Sequence, residues 1–236
     1  MNKVPMVLAM ALTLAFAGYA EAAKPKKRTR NANRVGAYGA ALATASHYKG
    51  NKAEDEAELV NILTTAGYPT QNVTSSSKMN DVGYQLAFGY RFNRYVAAEL
   101  GLAQYGELSS VAKGQLDAGN GFVPASVKLS FNVGGPVLSA VGILPINDKF
   151  EFFARGGILF ANAERQISSR IDGQNAGFGS AKGDTTQFVY AVGASFNFNQ
   201  VYSMRLEYQK IGEVGERNRT GTEELDIAAI GLVIRF

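Results

Sequence analysis

Few residues in this chain have the means to do chemistry. His47 is the one histidine among 236 residues, and cysteine is absent. His47 stands in Ala45-Ser46-His47-Tyr48-Lys49, beside a serine at the outer end of an alternating segment. A serine nucleophile and its base must come within hydrogen-bond reach. Neighbours on a strand point to opposite faces, so Ser46 and His47 do not form a relay, and no serine sits two positions from His47. The histidine therefore reads as an interfacial or loop residue. The acids Glu54, Asp55, Glu56 and Glu58 form a run without the spacing of a calcium loop and read as a solvated face. With no thiols and one histidine, no metal site, cofactor or catalytic residue is expected. The Gly-rich stretch from Gly173 to Gly179 follows neither a strand-to-helix turn nor a phosphate-loop lysine, and reads as a flexible outer loop.

The informative charges lie elsewhere, inside segments with period two. In Tyr84-Gln85-Leu86-Ala87-Phe88-Gly89-Tyr90-Arg91-Phe92 every even position is large and apolar or aromatic, and every odd one is small or polar. The same segregation sets Tyr190, Val192, Ala194, Phe196 and Phe198 against Ala191, Gly193, Ser195 and Asn197. It also sets Tyr202, Met204, Leu206 and Tyr208 against Ser203, Arg205, Glu207 and Gln209. The chain ends on Ile230, Leu232, Ile234 and Phe236 sharing one face, opposite Ala229, Gly231, Val233 and Arg235. Period two is the repeat of a strand with chemically different faces. Weaker versions at 35–46, 95–106, 137–146 and 150–163 bring the count to eight strands.

These strands match the roughly 9–11 residues that a tilted membrane strand needs. Their connections alternate between tight ones, near Asn93-Arg94, Asn147-Asp148 and 197–200, and long ones over 47–80, 107–135, 164–186 and 212–224. That pattern predicts an all-β fold, an eight-stranded antiparallel transmembrane β-barrel with short periplasmic turns and long extracellular loops. A soluble lipocalin-type barrel shows the same alternation with the faces exchanged. Its water-facing surface would then be Ala87, Gly89, Ala191, Gly193, Ala229 and Gly231, a poor soluble exterior. With the bulky face turned to lipid, small side chains pack a narrow lumen. Parity then places Arg91, Glu99, Arg155, Arg205 and Glu207 inside, where they are expected to form a paired charge network that fills the lumen and leaves no continuous pore. Phe236 faces lipid on a strand that must pair with the first strand, because an open edge cannot exist in hydrocarbon.

The chain opens with a short basic region and a 13-residue apolar stretch from Met6 to Gly18, followed by Ala20-Glu21-Ala22. This is read as a signal peptide over 1–22 rather than a membrane anchor, which takes about 20 apolar residues. Lys24, Lys26, Lys27, Arg28, Arg30 and Arg34 make 23–34 a basic periplasmic leader, read as a solvated tail with contact to an anionic partner as the alternative. Of the formal net charge of +4 the leader carries more than all, so the remainder is close to neutral and no nucleic-acid partner is expected. The barrel occupies 35–236. Within its first long loop Asn51 is placed to cap a short helix whose Leu59, Ile62 and Leu63 share a side and which Gly67 ends. The sequons at Asn72 and Asn218 mark exposed loops.

The segments GYRFNRYVAAELGLAQYG at 89–106, INDKFEFFARGGILFANAE at 146–164 and SFNFNQVYSMRLEYQKIG at 195–212 resemble the hairpins of outer membrane protein A type barrels, and the resemblance covers most of 34–236. It implies residence in the outer membrane of a Gram-negative bacterium, contact with outer-membrane lipid and lipopolysaccharide, and Phe236 as the signal read by the barrel-assembly machinery. The peptidoglycan-binding domain that follows the barrel in the longest members is not expected here. The function expected is non-enzymatic: cell-envelope integrity or surface interaction with an extracellular ligand. A narrow, porin-like channel for small solutes is the alternative, and a lipid A-modifying barrel enzyme built on His47 comes third.

Overall fold

The computed structural model describes residues 35–48, 70–78, 80–117, 121–214 and 223–236, with isolated positions at 57, 61 and 119. The expected signal peptide and basic leader lie outside the described residues, as does the sequon at Asn218. Of the helix expected after Asn51, only Ala57 and Asn61 are described, and both are helical. The described chain forms nine strands: β1 (Gly36–Tyr48), β2 (Thr70–Lys78), β3 (Asn80–Arg91), β4 (Val96–Asp117), β5 (Phe122–Pro145), β6 (Phe150–Ile171), β7 (Gln174–Asn197), β8 (Tyr202–Val214) and β9 (Glu223–Arg235).

Eight of them close a ring. β1 pairs β3, each strand from β3 to β9 pairs the next, and β9 returns to β1, all antiparallel. The closing ladder runs from Tyr38 opposite Arg235 to Tyr48 opposite Leu225, and the Phe236 amide extends it by donating to the Ala37 carbonyl at 3.0 Å. Closure leaves the ring without an edge strand where it crosses the membrane, the condition for a sheet in hydrocarbon. Side chains follow the predicted parity. Phe88, Tyr90, Phe92, Leu206, Tyr208, Ile230, Leu232 and Phe236 are exposed on the outside, while Arg91, Arg205, Glu207 and Val233 are buried within.

The three tight turns share one device. Asn93, Asn147 and Asn199 each use the side-chain Oδ1 to accept from two backbone amides, those of the first residue of the following strand and of the residue just before it, at 2.7–2.9 Å. In each turn the amide just before the asparagine donates to the carbonyl four residues on, at 3.0 Å. An Asx-type bond of this kind holds a turn without glycine.

The opposite end departs from expectation. β4 to β7 are 22, 24, 22 and 24 residues long, about twice what crossing requires, whereas β1, β3, β8 and β9 have 12 or 13. Most of the loop predicted over 107–135 is therefore the upper half of a paired β4–β5 hairpin, and the loop predicted over 164–186 is the top of the β6–β7 hairpin. The stretch from Gly173 to Gly179 is not a flexible loop. Asp172 and Gly173, with φ of 50° and 74°, form the tight turn, and the rest lies in β7. A two-residue loop with positive φ at both positions suits the right-handed twist of a hairpin, and Asp-Gly is a preferred pair for it.

β2 is a ninth strand that pairs only with the upper part of β4, from Thr70 opposite Leu116 to Lys78 opposite Ser109. The sequon at Asn72 thus falls on a strand, not in a loop, at an irregularity of that ladder where Asn72 itself has φ 54°. The upper wall has its own apolar centre of Ala112, Leu116, Ala125, Val127 and Leu129, with Val73, Ile167 and Ile171 packed against it. An ordered wall should resist protease. In folded protein, trypsin is expected to cut slowly at Lys113, Lys128 and Arg170, and Gly173→Val, which forces a β-branched residue into positive φ, should speed cutting near the tip without unfolding the barrel. Rapid cleavage of the unaltered protein at all three sites would restore the loop description.

Candidate functional site

The lumen is where the chain concentrates polar groups that cannot reach water. Arg91, Glu99, Arg155, Arg205 and Glu207 all project inward and are 3–5% exposed. Four of the five meet. The Arg205 Nη1 donates to Glu99 Oε1 at 2.6 Å, and its Nε lies 2.8 Å from Glu207 Oε2 as an ion pair. The Arg155 Nη2 donates to Glu207 Oε1, and its Nη1 to the Ser139 hydroxyl at 3.4 Å. Glu99 receives a further bond from the Tyr38 hydroxyl at 2.7 Å. Arg91 belongs to a second group nearer the turns. It donates to both oxygens of Glu151, at 3.1 and 3.2 Å, and to the carbonyls of Asn93 and Arg94. Arg235 reaches toward the same carboxylate at 3.9 Å and donates to Asn197 Oδ1 at 3.0 Å.

Sequence reasoning overlooked Glu151, Tyr38 and the pairing role of Arg235. Glu151 was legible, since it shares the parity of Arg155 four residues on. Tyr38 was not, because an aromatic on the small-residue face breaks the rule that located the lumen.

Two close approaches explain how large side chains fit. A Cβ on Gly89 would meet the Tyr38 ring and hydroxyl, the latter at 2.6 Å, and one on Gly193 would overlap the Phe153 ring. These glycines are notches. The first seats the tyrosine that binds Glu99, and the second seats a phenylalanine whose ring lies 4.2 Å from the Arg205 guanidinium carbon. A guanidinium over an aromatic face gains cation–π attraction that strengthens away from water. A cavity of about 40 Å³ lined by Arg91, Glu99, Glu151 and Arg205 separates the two groups and has room for little more than a water or two.

Beyond the charges the lumen changes character. Gln209 Nε2 donates to Gln85 Oε1 at 2.9 Å, and above this pair Tyr105, Val133, Leu159, Val189, Ile211, Leu225 and Ile227 are all 0% exposed. Large apolar residues fill the section that parity alone assigned to small ones. At the outer end of β1, His47 Nδ1 and Asn80 Oδ1 lie 2.6 Å apart on the outer surface, while Ser46 is buried on the inner one. Histidine and serine are thus on opposite faces. Among the described residues no group of three or more acids or histidines is placed to hold a metal ion. Phe236 is 58% exposed at the end of the closing ladder, its ring alongside Gly39.

A closed antiparallel ring with an apolar aromatic exterior, a packed charged interior, short turns at one end and a tall wall at the other defines a transmembrane barrel of the bacterial outer membrane. The chain belongs to the OmpA-like transmembrane domain family, which it matches over residues 38–236. It is 26% identical to outer membrane protein A of Yersinia pseudotuberculosis serotype I (strain IP32953) across 66% of this chain and 40% of that one. It is 25% identical to outer membrane protein A of Klebsiella pneumoniae across 70% of this chain and 44% of that one. The chain therefore spans less than half the length of the curated relatives it matches. Among solved structures it is similar to Ail, the attachment invasion locus protein of Yersinia pestis, with 16% identity, a TM-score of 0.40, and coverage of 86% of this chain and 99% of that one.

Glu207 holds the centre of the main charge group, between Arg155 and Arg205. Glu207→Gln leaves two buried guanidiniums with one carboxylate between them, and removing a partner from a buried pair costs about 3–5 kcal/mol. The unfolding midpoint in urea, read by the gel shift between unheated and heated samples, should fall clearly. Gly156→Ala, where an added Cβ meets nothing within 4 Å, should leave it unchanged.

Proposed function

We propose that the protein is a non-enzymatic outer-membrane barrel that supports envelope integrity and carries a surface for extracellular interaction. The observation that carries this reading is the division of labour along the strands. The lower half of the lumen is closed by paired charges and the upper half by fully buried apolar residues, while β4 to β7 continue as an ordered wall beyond the membrane band. A closed lumen argues for anchoring rather than transport, and an ordered wall argues for presentation.

Further parts of the reading rest on the chain's own residues. The signal peptide over 1–22, the leader over 23–34 and the barrel over 35–236 form its domain plan. The outward aromatic and aliphatic surface meets membrane lipid, with lipopolysaccharide on the outer leaflet. The terminal Phe236, lipid-facing on the closing strand, serves as the signal for the assembly machinery. The enzyme alternative finds no support in His47, whose neighbour in space is Asn80 and whose neighbour in sequence points into the barrel.

The solute-channel alternative requires a continuous aqueous path past Tyr105, Leu159 and Ile227, each fully buried. Purified folded protein in planar bilayers should give no steady conductance, and a stable open channel in unaltered protein would promote transport over anchoring. Assembly provides a separate test. Deleting Phe236 or making Phe236→Asp should leave precursor or degraded protein with transcription unchanged, and normal levels of inserted protein would remove its assigned role.

A further inference from the structure

The lipid-facing surface is not uniformly bulky. A groove of about 900 Å³ crosses it from β4 to β9. Its course is a single hydrogen-bonded row. The Ile143 amide donates to the Tyr95 carbonyl at 2.7 Å, and Ile143, Phe153, Gly193, Glu207 and Ala229 follow as successive ladder partners. Beside this row the outward residues Gly142, Ala154, Ala194 and Ala228 are small, where outward positions elsewhere are Leu138, Phe160, Phe188 and Ile230. Phe152, Leu206 and Tyr208 raise the sides. Barrel strands tilt by about 35–45° from the axis, so a row perpendicular to them climbs through the membrane. This one leaves from Tyr95, at the β3–β4 turn, and ends beside Ala228, inside β9. With roughly 9–11 residues to a crossing, Ala228 stands near the middle of the bilayer. The groove therefore spans one leaflet, the one on the side of the tight turns.

Its mouth is cationic. The Arg94 guanidinium carbon lies 4.9 Å from the centre of the Tyr95 ring, and the Arg91 side chain holds that turn from inside by donating to the Arg94 carbonyl. Lys149 ends the β5–β6 turn, the next along the rim because β4 pairs β5. Neither Arg94 nor Lys149 forms an ion pair among the described residues. Asp148 is the one acid in these two turns, and the β7–β8 turn from Phe198 to Val201 carries no charge. The cations of the turns thus stand where the groove opens.

We propose that the groove binds one glycerophospholipid of the periplasmic leaflet, with its phosphate on Arg94 and Lys149 and an acyl chain laid along the row toward Ala228. The inference rests on the reading of the exterior as lipid-facing and goes beyond it, because it sets one held lipid apart from those that merely solvate the barrel. An apolar channel with polar groups at one end suits an amphiphile that enters by its headgroup end. Two cations against one acid favour an anionic headgroup over a zwitterionic one. Lipid A belongs to the opposite leaflet, with its phosphates at the far end of the barrel from this mouth.

The test uses full-length protein folded in detergent, titrated with palmitoyl-oleoyl phosphatidylglycerol and read by native mass spectrometry. One lipid should survive the collisional activation that strips all further copies, and phosphatidylethanolamine with the same chains should be retained less. Arg94→Gln and Lys149→Gln should each weaken retention about fivefold, the effect of removing one cation beside an anionic lipid surface. Ala154→Phe, which fills the groove from an exposed position, should abolish retention of the first lipid with the barrel's gel shift intact. Phe160→Leu, on the outer face away from the groove, should leave it unchanged. Loss of all lipids together without a preferred first copy, undiminished retention by Ala154→Phe or by both Gln variants, or lipid A held as tightly as phosphatidylglycerol would each overturn the proposal. Absent retention by a barrel with a normal gel shift overturns the groove site alone, whereas failure of the unaltered protein to insert into vesicles counts against the barrel reading beneath it.

Discussion

Hydrocarbon cannot hydrogen-bond a peptide group, and that constraint organises everything below the outer wall. A sheet in lipid must close, so β9 has to find β1, and the ladder from Tyr38 opposite Arg235 to Tyr48 opposite Leu225 is the condition for the other ladders to be stable at all. Closure then fixes where side chains go. Every second residue of eight strands enters a lumen only wide enough for side chains to fill. Charges on those positions cannot choose water, and on the lipid face an arginine at mid-membrane would cost about 2–4 kcal/mol. They are left to one another. Arg205 between Glu99 and Glu207, and Arg91 on Glu151, follow from closure as directly as the aromatic exterior does.

The small residues of the inner face are then not mere filler. Gly89 and Gly193 give up volume so that Tyr38 and Phe153, their direct partners on the neighbouring strands, can lie flat across them, and those rings in turn touch Glu99 and Arg205. A hydroxyl donor for the carboxylate and a π-face for the guanidinium offset part of the desolvation of the buried pair, while Glu99 Oε2 and Arg205 Nη2 have no hydrogen-bond partner among the described residues. The same reasoning separates the two halves of the lumen. Charges cluster toward the turns, where Arg91 also borrows the carbonyls of Asn93 and Arg94, while the outer half relies on close-packed Tyr105, Leu159, Ile211 and Ile227. A polar plug specifies geometry, and an apolar one excludes water.

Most of the membrane-embedded part was legible because lipid imposes a two-letter code on alternate residues. Parity placed Arg91, Glu99, Arg155, Arg205 and Glu207 inside and Phe236 outside, and the turn asparagines marked the short connections. Parity could not say which charges meet, since partners come from strands far apart in sequence: Arg91 turned to Glu151 rather than to the other four. The upper strands were misread for a physical reason. Once β4 to β7 leave hydrocarbon, nothing demands a bulky outward face. Ser109, Ser126, Lys128, Ser168 and Ser180 replace the aromatics, and the contrast that identified strands fades. The Asp172-Gly173 pair was the remaining signal, a hairpin turn hidden inside what looked like a glycine-rich loop.

The contrast between the two regions also says where an open edge can exist. Within the membrane band an unpaired strand leaves amides with no partner, so the ring is complete there. Above it water satisfies free backbone groups, and the requirement to close lapses. β1, β8 and β9 end within about one crossing length, while β4 to β7, with β2 added at one side, continue upward. Among the described residues the wall is therefore open over the β8–β9–β1 sector, and its margins are β2 and the upper half of β7. An edge that would be ruinous ten residues lower costs little at this height, because its hydrogen bonds are exchanged with solvent rather than lost. The barrel fixes the lower half of β7, Val189 to Asn197, against Ser203 to Ile211 of β8 and thereby holds the upper half extended. Rigidity in the membrane and availability outside it are two consequences of the same strand crossing from one solvent into another.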